Sequence, residues 1–116
     1  MAQRIVPDQG MSAGETEIGA VAFWRHLGWS RASIVGSELL TGTPTVVEQS
    51  TSDLTITFKQ VNTTATQTPD GNVAAGGAVL FKITGQQAGE TYVIRITVST
   101  DAGRTFVRDV SFKTYD

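Results

Sequence analysis

The segment that decides the fold is Gln86-Gln87-Ala88-Gly89-Glu90-Thr91-Tyr92-Val93-Ile94-Arg95-Ile96-Thr97-Val98-Ser99. From Tyr92 to Ser99 the even positions are apolar and the odd positions are mostly polar, a period typical of a strand with one buried face. A second strand candidate, Thr105 to Tyr115, follows after the short loop Asp101-Ala102-Gly103. A glycine in such a loop suits a tight turn, so the two strands are predicted to form a β-hairpin.

Similar signals occur upstream of this hairpin. They mark five further strand candidates: Ile18 to Phe23, Ala32 to Leu40, Thr43 to Gln49, Asp53 to Val61 and Ala78 to Thr84. Gly36 interrupts the second of these and favours a bulge there. About seven short antiparallel strands, separated by Gly, Pro, Asp and Thr turns, are typical of an immunoglobulin-like β-sandwich. The sequence therefore predicts an all-β protein with this architecture.

The segment from Glu17 to Trp29 has a mixed pattern. Alternation places Ala20 and Ala22 on one strand face, and Val21 and Phe23 on the other. A strand buried on both faces, or covered by the N-terminal segment, fits this pattern, and a short helix is the alternative. Residues 24–28 are predicted to form a turn that ends at Gly28.

Two parts of the chain lie outside the strand pattern. Residues 1–16 contain Pro7 and small polar residues, and they are predicted to form an extended N-terminal arm beside one domain at 17–116. Whether a neighbouring subunit orders this arm or it is a disordered tail stays open. Residues 62–77 form a long connection, read either as a loop or, preferably, as a protruding hairpin with Pro69-Asp70-Gly71 at its tip.

Composition excludes several classes of function. The chain has 116 residues, 40% of them hydrophobic and 17% charged, which suits one folded domain. Its net charge of −2 gives no basic excess for nucleic-acid binding, and the absence of cysteine excludes disulfides and thiolate metal sites. We see no apolar run of about 20 residues and no signal-peptide pattern, so we expect no membrane partner and production in a cytoplasm.

Candidate catalytic and metal-binding residues are few. His26 is the single histidine and lies between two tryptophans, so we expect it to be packed rather than to act as a general base or metal ligand. The carboxylates of Asp53, Asp70, Glu90 and Asp101 each stand at a predicted turn. Asp70-Gly71-Asn72 alone offers too few oxygen ligands for calcium.

The glycines also fail to indicate a ligand site. Gly71, Gly76 and Gly77 precede a strand, whereas phosphate-binding glycine loops stand before a helix N-terminus. We therefore predict no catalytic residue, no cofactor-binding residue and no metal ligand, and we expect that the protein is not an enzyme.

The aromatic and arginine side chains lead to specific expectations. Trp24 and Trp29 are expected in the core or at a protein interface, with a ligand-stacking platform as the alternative. Arg95 should face solvent or pair across strands. Unbroken alternation would turn Arg108 inward, so a bulge near Val107 is predicted to turn Arg108 out and Val107 in.

One family resemblance is present. The segment Gly85 to Tyr92, the alternating strand after it, Thr100-Asp101-Ala102-Gly103-Arg104-Thr105 and Arg108 resemble a family of small tailed-phage virion proteins. These are described as fiber–tail adaptors or immunoglobulin-like head–tail proteins, with an Ala-Gly-x-x-Tyr turn, an alternating strand and a Thr-x-x-Gly-Arg turn. The resemblance covers about two thirds of the chain, and the 62–77 connection looks longer than the family's usual one.

The resemblance implies a function without chemistry. It implies a non-enzymatic structural subunit of a tailed-phage virion, made in the host cytoplasm, that joins tail or neck to fibers and repeats as a homo-oligomer among other virion proteins. A capsid decoration (cement) protein, clamping shell subunits with its arm and loop, is the nearest alternative. A carbohydrate-binding module is an alternative of another class, and it requires Trp24 and Trp29 to be exposed on one sheet face.

Overall fold

The computed structural model describes residues 3–5, 10–12, 17–51, 53–68 and 71–115, and every regular element within these ranges is a β-strand. The strands are β1 (Gln3–Ile5), β2 (Gly10–Ser12), β3 (Glu17–Ala22), β4 (Leu40–Glu48), β5 (Thr55–Val61), β6 (Thr66–Thr68), β7 (Gly71–Val73), β8 (Ala78–Thr84), β9 (Thr91–Thr100) and β10 (Thr105–Tyr115). The predicted all-β class is confirmed.

The strands form two four-stranded sheets and a small hairpin. The first sheet has the order β1-β3-β8-β5, the second has the order β2-β10-β9-β4, and β6 pairs with β7. The pairs β1–β3 and β2–β10 are parallel, and the other pairs are antiparallel. The described parts of the predicted arm therefore lie at one edge of each sheet.

The core lies between the two sheets and is filled by the inward residues of each strand. Phe81 of β8 meets Phe112 of β10 edge to face, with ring centroids 6.3 Å apart. Gly19 lies opposite Phe81 in the β3–β8 register, and a Cβ there would come within 2.5 Å of the Phe81 ring. A glycine at this position thus makes room for the largest side chain of β8. Burial of each such aromatic side chain contributes about 1.5–3 kcal/mol.

Most of the predicted strands are present. The β9–β10 hairpin pairs from Thr91 with Lys113 to Ser99 with Thr105. The strand predicted at Ile18 to Phe23 is β3, and it is buried on both faces, so the helix alternative is wrong. The predicted turn at 24–28 is also confirmed: Leu27 N–H donates to Phe23 O, and Gly28 has a φ of 77°.

The strand predicted from Ala32 to Leu40 is wrong. β4 begins only at Leu40, and between β3 and β4 the described pairing is an isolated bridge between Arg31 and Ile34. A Cβ on Gly36 would lie 2.7 Å from the Trp29 ring, so the backbone wraps closely around that indole instead of extending. Ile34 consequently stays 52% exposed.

The 62–77 connection contains the β6–β7 hairpin. Pro69 and Asp70, at its predicted tip, lie outside the described residues, as does the predicted role of the Asp70 carboxylate. Thr66, Thr68 and Val73 are buried, and β6 contacts β3. The described strands of the hairpin are therefore packed onto the sandwich.

One buried side chain organises this connection. The Oδ1 atom of Asn62 accepts hydrogen bonds from the amides of residues 76–78, at 2.9, 3.2 and 3.0 Å. Its Nδ2 atom donates to the carbonyls of Thr64, Val73 and Ala74 at 3.0, 3.2 and 3.1 Å. Asn62 is 2% exposed. A single amide thus satisfies backbone groups on both sides of the hairpin, which would otherwise be costly to bury.

We predict that Asn62→Ala lowers the free energy of unfolding by about 1–3 kcal/mol, because buried backbone groups on both sides of the hairpin lose a hydrogen-bonding partner, although the amides of Gly76 and Gly77 keep backbone acceptors. Urea denaturation measures this loss. Asn72→Ala is the matched control: Asn72 is exposed on β7, so its replacement should change stability by about 0.5 kcal/mol or less. Equal effects of the two substitutions would contradict the assigned role of Asn62.

Candidate interaction surfaces

Tyr92 fixes the start of the β9–β10 hairpin. Its ring is fully buried, while its hydroxyl accepts a hydrogen bond from Gln87 N–H at 2.7 Å and donates to Asp53 Oδ2 at 3.1 Å. Burial raises the pKa of Tyr92, so the hydroxyl keeps its proton and remains a donor. Gly89, in the turn between, has a φ of 75°, which side-chain-bearing residues rarely adopt. The hydroxyl therefore joins the turn before β9 to the segment before β5.

A second polar cluster fixes the other end of the hairpin. Arg104 Nε donates to Glu38 Oε2 at 2.9 Å, and Thr100 Oγ1 donates to the same carboxylate oxygen. Leu39 N–H donates to Asp101 Oδ1 at 3.1 Å, so this predicted turn carboxylate binds a neighbouring segment. The Arg104 guanidinium, followed by the Thr100 hydroxyl, lowers the pKa of Glu38. These hydrogen bonds of the Glu38 carboxylate, together with that of Leu39, fix residues 38 and 39 against the β9–β10 turn.

The single histidine lies among aromatic rings. The His26 ring centroid is 5.3 Å from that of Phe23 and 5.5 Å from that of Phe106, although the residue as a whole is exposed. Among the described residues no group of three or more His, Cys, Asp or Glu side chains is placed to hold a metal ion. The His26 ring thus contacts two aromatic rings, while the residue is more exposed than the packed position that the sequence predicted.

The two tryptophans have different environments. Trp29 is 5% exposed, and its Nε1 donates to Glu38 O at 2.8 Å. Trp24 is half-buried, with the Arg25 guanidinium 4.8 Å from its ring centroid. The core position predicted for Trp29 is confirmed. Because Trp29 is buried, the two rings do not form an exposed stacking platform, and that prediction is wrong. The carbohydrate-binding alternative required such a platform.

The arginines of the β9–β10 hairpin have different environments: Arg95 forms an ion pair, and Arg108 is partly buried. Arg95 pairs with Asp109 across strands, as predicted, with Nε and Nη2 at 2.9 and 3.1 Å from the carboxylate oxygens. The bulge predicted near Val107 is wrong, because the β9–β10 register is unbroken and Val107 is 55% exposed. Arg108 stays on the inner side of β10, where its Nη1 donates to Ala22 O at 2.6 Å. This hydrogen bond reduces the cost of its partial burial.

The strands β4 and β5 are the free edges of the two sheets and lie next to each other. A shallow groove of about 370 Å³ between them is lined by Val46, Val47, Glu48, Thr51, Leu54, Ile56 and Lys59. Both edges have broken registers, between Thr41 and Thr45 in β4 and between Thr57 and Gln60 in β5. Phe58, at the second break, has a φ of 54°. Such bulges oppose the addition of another strand.

Comparison with protein-family models, curated proteins and solved structures gave no match for this chain. In the part of the chain that the structure describes, no helix is long and apolar enough to cross a membrane. Inferences about function therefore rest on the residues and contacts of the chain itself.

Sequence reasoning missed the two polar clusters at Glu38 and Asn62. Glu38 binds Arg104 across 66 positions of the chain, a separation at which no local pattern links two residues. Asn62 had a weak signal, as a single asparagine just after an alternating strand. The Tyr92 cluster could be predicted in part, because the Ala-Gly-x-x-Tyr spacing indicated the tyrosine but not its contact with Asp53.

We predict that Tyr92→Phe lowers the free energy of unfolding by about 1–3 kcal/mol, since the Gln87 amide and the Asp53 carboxylate lose a shared partner. Chemical denaturation of Tyr92→Phe, Asp53→Ala and the double variant measures the coupling. Asp53 is exposed, so Asp53→Ala alone should cost less. A Tyr92→Phe variant as stable as the wild type would contradict the role of the hydroxyl.

We predict that the stability advantage of the wild type over Glu38→Gln shrinks in acid. The ordinary pKa of Glu38 is 4.5 and folding lowers it, so the ionised carboxylate stabilises the fold above pH 4.5. That contribution is lost as the pH falls through the lower folded-state pKa. Thermal melts at neutral pH and at about pH 3 measure the change.

Arg104→Gln provides the matching variant for Glu38→Gln, because it removes the principal cause of the lowered pKa. Its stability gap to the wild type should shrink in the same way. A gap that is constant with pH in both variants would exclude this carboxylate as a source of acid sensitivity.

Proposed function

We propose that this chain is an immunoglobulin-like domain that serves as a non-enzymatic structural subunit of a tailed-phage virion, an adaptor between the tail or neck and the fibers. Its partners are other virion proteins and further copies of itself. The proposal joins two separate arguments, one about the fold and one about the residues that carry the family resemblance.

The strand order supports the immunoglobulin-like assignment. If β1, β3, β8 and β5 are strands A, B, E and D, the first sheet has the ABED order of that fold. The second sheet then reads A′, G, F and C for β2, β10, β9 and β4. In this assignment Tyr92 stands at the start of strand F, and its hydroxyl binds a backbone amide five residues upstream. That contact matches the tyrosine corner of immunoglobulin-like domains.

The residues that carry the family resemblance have structural roles in this chain. Gly89 and Gly103 both have a positive φ, of 75° and 80°, at the turns before β9 and β10. Arg104 binds Glu38, and Tyr92 fixes the turn before its strand. The observation that carries the proposal is this agreement: the matched residues of the resemblance build the β9–β10 hairpin.

The charged groups support a role without catalysis. Arg95 pairs with Asp109, Arg104 pairs with Glu38, and Glu48 accepts hydrogen bonds from Ser50 and Thr51. The two ion pairs join separate segments of the chain, and the Glu48 contacts fix the local turn after β4. A nucleophile or general base needs an aligned partner and access to a substrate, and these pairs use their charges for structure instead.

A reconstruction of the phage particle that encodes this chain tests the proposal. We expect purified virions to contain the protein and its density to form a ring at the neck or tail, next to the fiber attachment. Particles from a phage with the gene deleted should lack this ring, and complementation should restore it. Density distributed over the head shell would instead identify a decoration protein, and absence from purified virions would overturn the virion assignment.

A further inference from the structure

The middle of the outward side of the second sheet combines aliphatic, threonine and paired charged side chains. Two cross-strand rows define what we call the outer face: Thr45, Thr97 and Val107 form one row, and Val47, Arg95 and Asp109 form the other. Both rows cross β4, β9 and β10. These residues alternate with the buried residues of the same strands, so their side chains point away from the core.

The outer face exposes aliphatic side chains on both sides of its single ion pair. Val107 is 55% exposed and Val47 is 47% exposed, and they belong to the two strands that flank β9. Single exposed aliphatic residues are ordinary on a protein surface. Here two of them stand in adjacent rows of one sheet, beside threonines and without an unpaired charge between them, which resembles the inner side of a packed sheet more than a solvated side.

Other surfaces are less suited to contact over a broad area. The free edges β4 and β5 are broken by register shifts. On the first sheet, Lys82 points outward beside Phe58, with its Nζ atom 4.8 Å from the ring centroid. Ile34 and Val35 are exposed, but they lie in the loop before β4 rather than on a sheet.

We propose that two copies of this chain associate through their outer faces about a two-fold axis. The argument for a second copy as the partner is charge complementarity. Arg95 and Asp109 are directly opposite on β9 and β10, so the two rows carry one charge of each sign, while the exposed Lys113 stands two pairs further along β10. A two-fold axis parallel to these strands, midway between them, places Arg95 of each copy over Asp109 of the other. The same rotation brings Val107 of each copy over Thr97 of the other, so the exposed Val107 side chain is buried.

This interface is self-complementary, as a two-fold contact must be. It uses sheet-to-sheet packing, in which two faces lie about 10 Å apart. The inference goes beyond the proposed function, because it depends on neither a virion nor a fiber. A purified chain that dimerises while absent from virions would separate the two proposals.

Sedimentation equilibrium of the purified chain, from about 10 µM to about 1 mM, tests the interface. The wild type should show a monomer–dimer equilibrium. Val107→Glu should weaken it by about tenfold or more, because it buries a charge between the faces. Ile34→Glu is the matched control, since Ile34 is 52% exposed, close to the 55% of Val107, but lies off the face. A monomeric wild type, or equal losses from both substitutions, would overturn the proposal.

A charge exchange tests the orientation of the two copies. Arg95→Asp leaves two acidic groups on the face, and Asp109→Arg leaves two basic groups, so each variant alone should be monomeric. An equimolar mixture should form a heterodimer at wild-type strength or better, visible by native mass spectrometry. Unchanged thermal melting of each variant confirms that the fold is intact, because exposed pairs contribute little to stability. Failure of the mixture to associate would exclude the proposed two-fold arrangement.

Discussion

The contacts of the Asn62 side-chain amide with six backbone groups, shared among its two N–H hydrogens and its oxygen, are the constraint on which one end of the sandwich depends. Three of them hold the amides of residues 76–78. The carbonyls of the same segment then accept from Phe23 N–H at 2.7 Å and from Leu40 N–H at 2.8 Å. One amide thereby positions the end of β3, the beginning of β4 and the beginning of β8. Because these strands belong to both sheets, the network also fixes how the sheets meet.

The part of the fold that follows from local periodicity could be predicted. Alternation identified β9 and β10 and the outward direction of Arg95, because one side chain in two points to the core. The role of Asn62 could not be predicted in this way. Its partners lie as far as 16 positions away, and a Thr- and Gly-rich stretch looks like a mobile loop until a buried polar group is known to tie it down. The candidate surfaces were likewise visible only in part, through Arg95 and Tyr92.

Two of the errors of the sequence reading have a common origin. In both, an apolar side chain was expected to point to the core, or a charged one to solvent, from its residue type alone. Ile34 and Val35 suggested a buried strand, yet the Trp29 indole occupies the space beside Gly36 and leaves them outside. Arg108 was expected outside, yet its long side chain reaches the carbonyl of Ala22 without leaving the inner side of β10. Tertiary contacts outweighed local preference in each case.

The arrangement of edges determines where this sandwich can contact another molecule. β1 and β2 cover one edge of each sheet, and bulges break the pairing of β4 and β5 at the other edges. Bulged edges such as those of β4 and β5 resist growth by strand addition. The faces and the loop end of the sandwich are therefore the better places for contact with another molecule. Of these, the face around Arg95 and Asp109 combines exposed aliphatic side chains with a paired charge of each sign, and its residues take no part in the Asn62 and Glu38 networks.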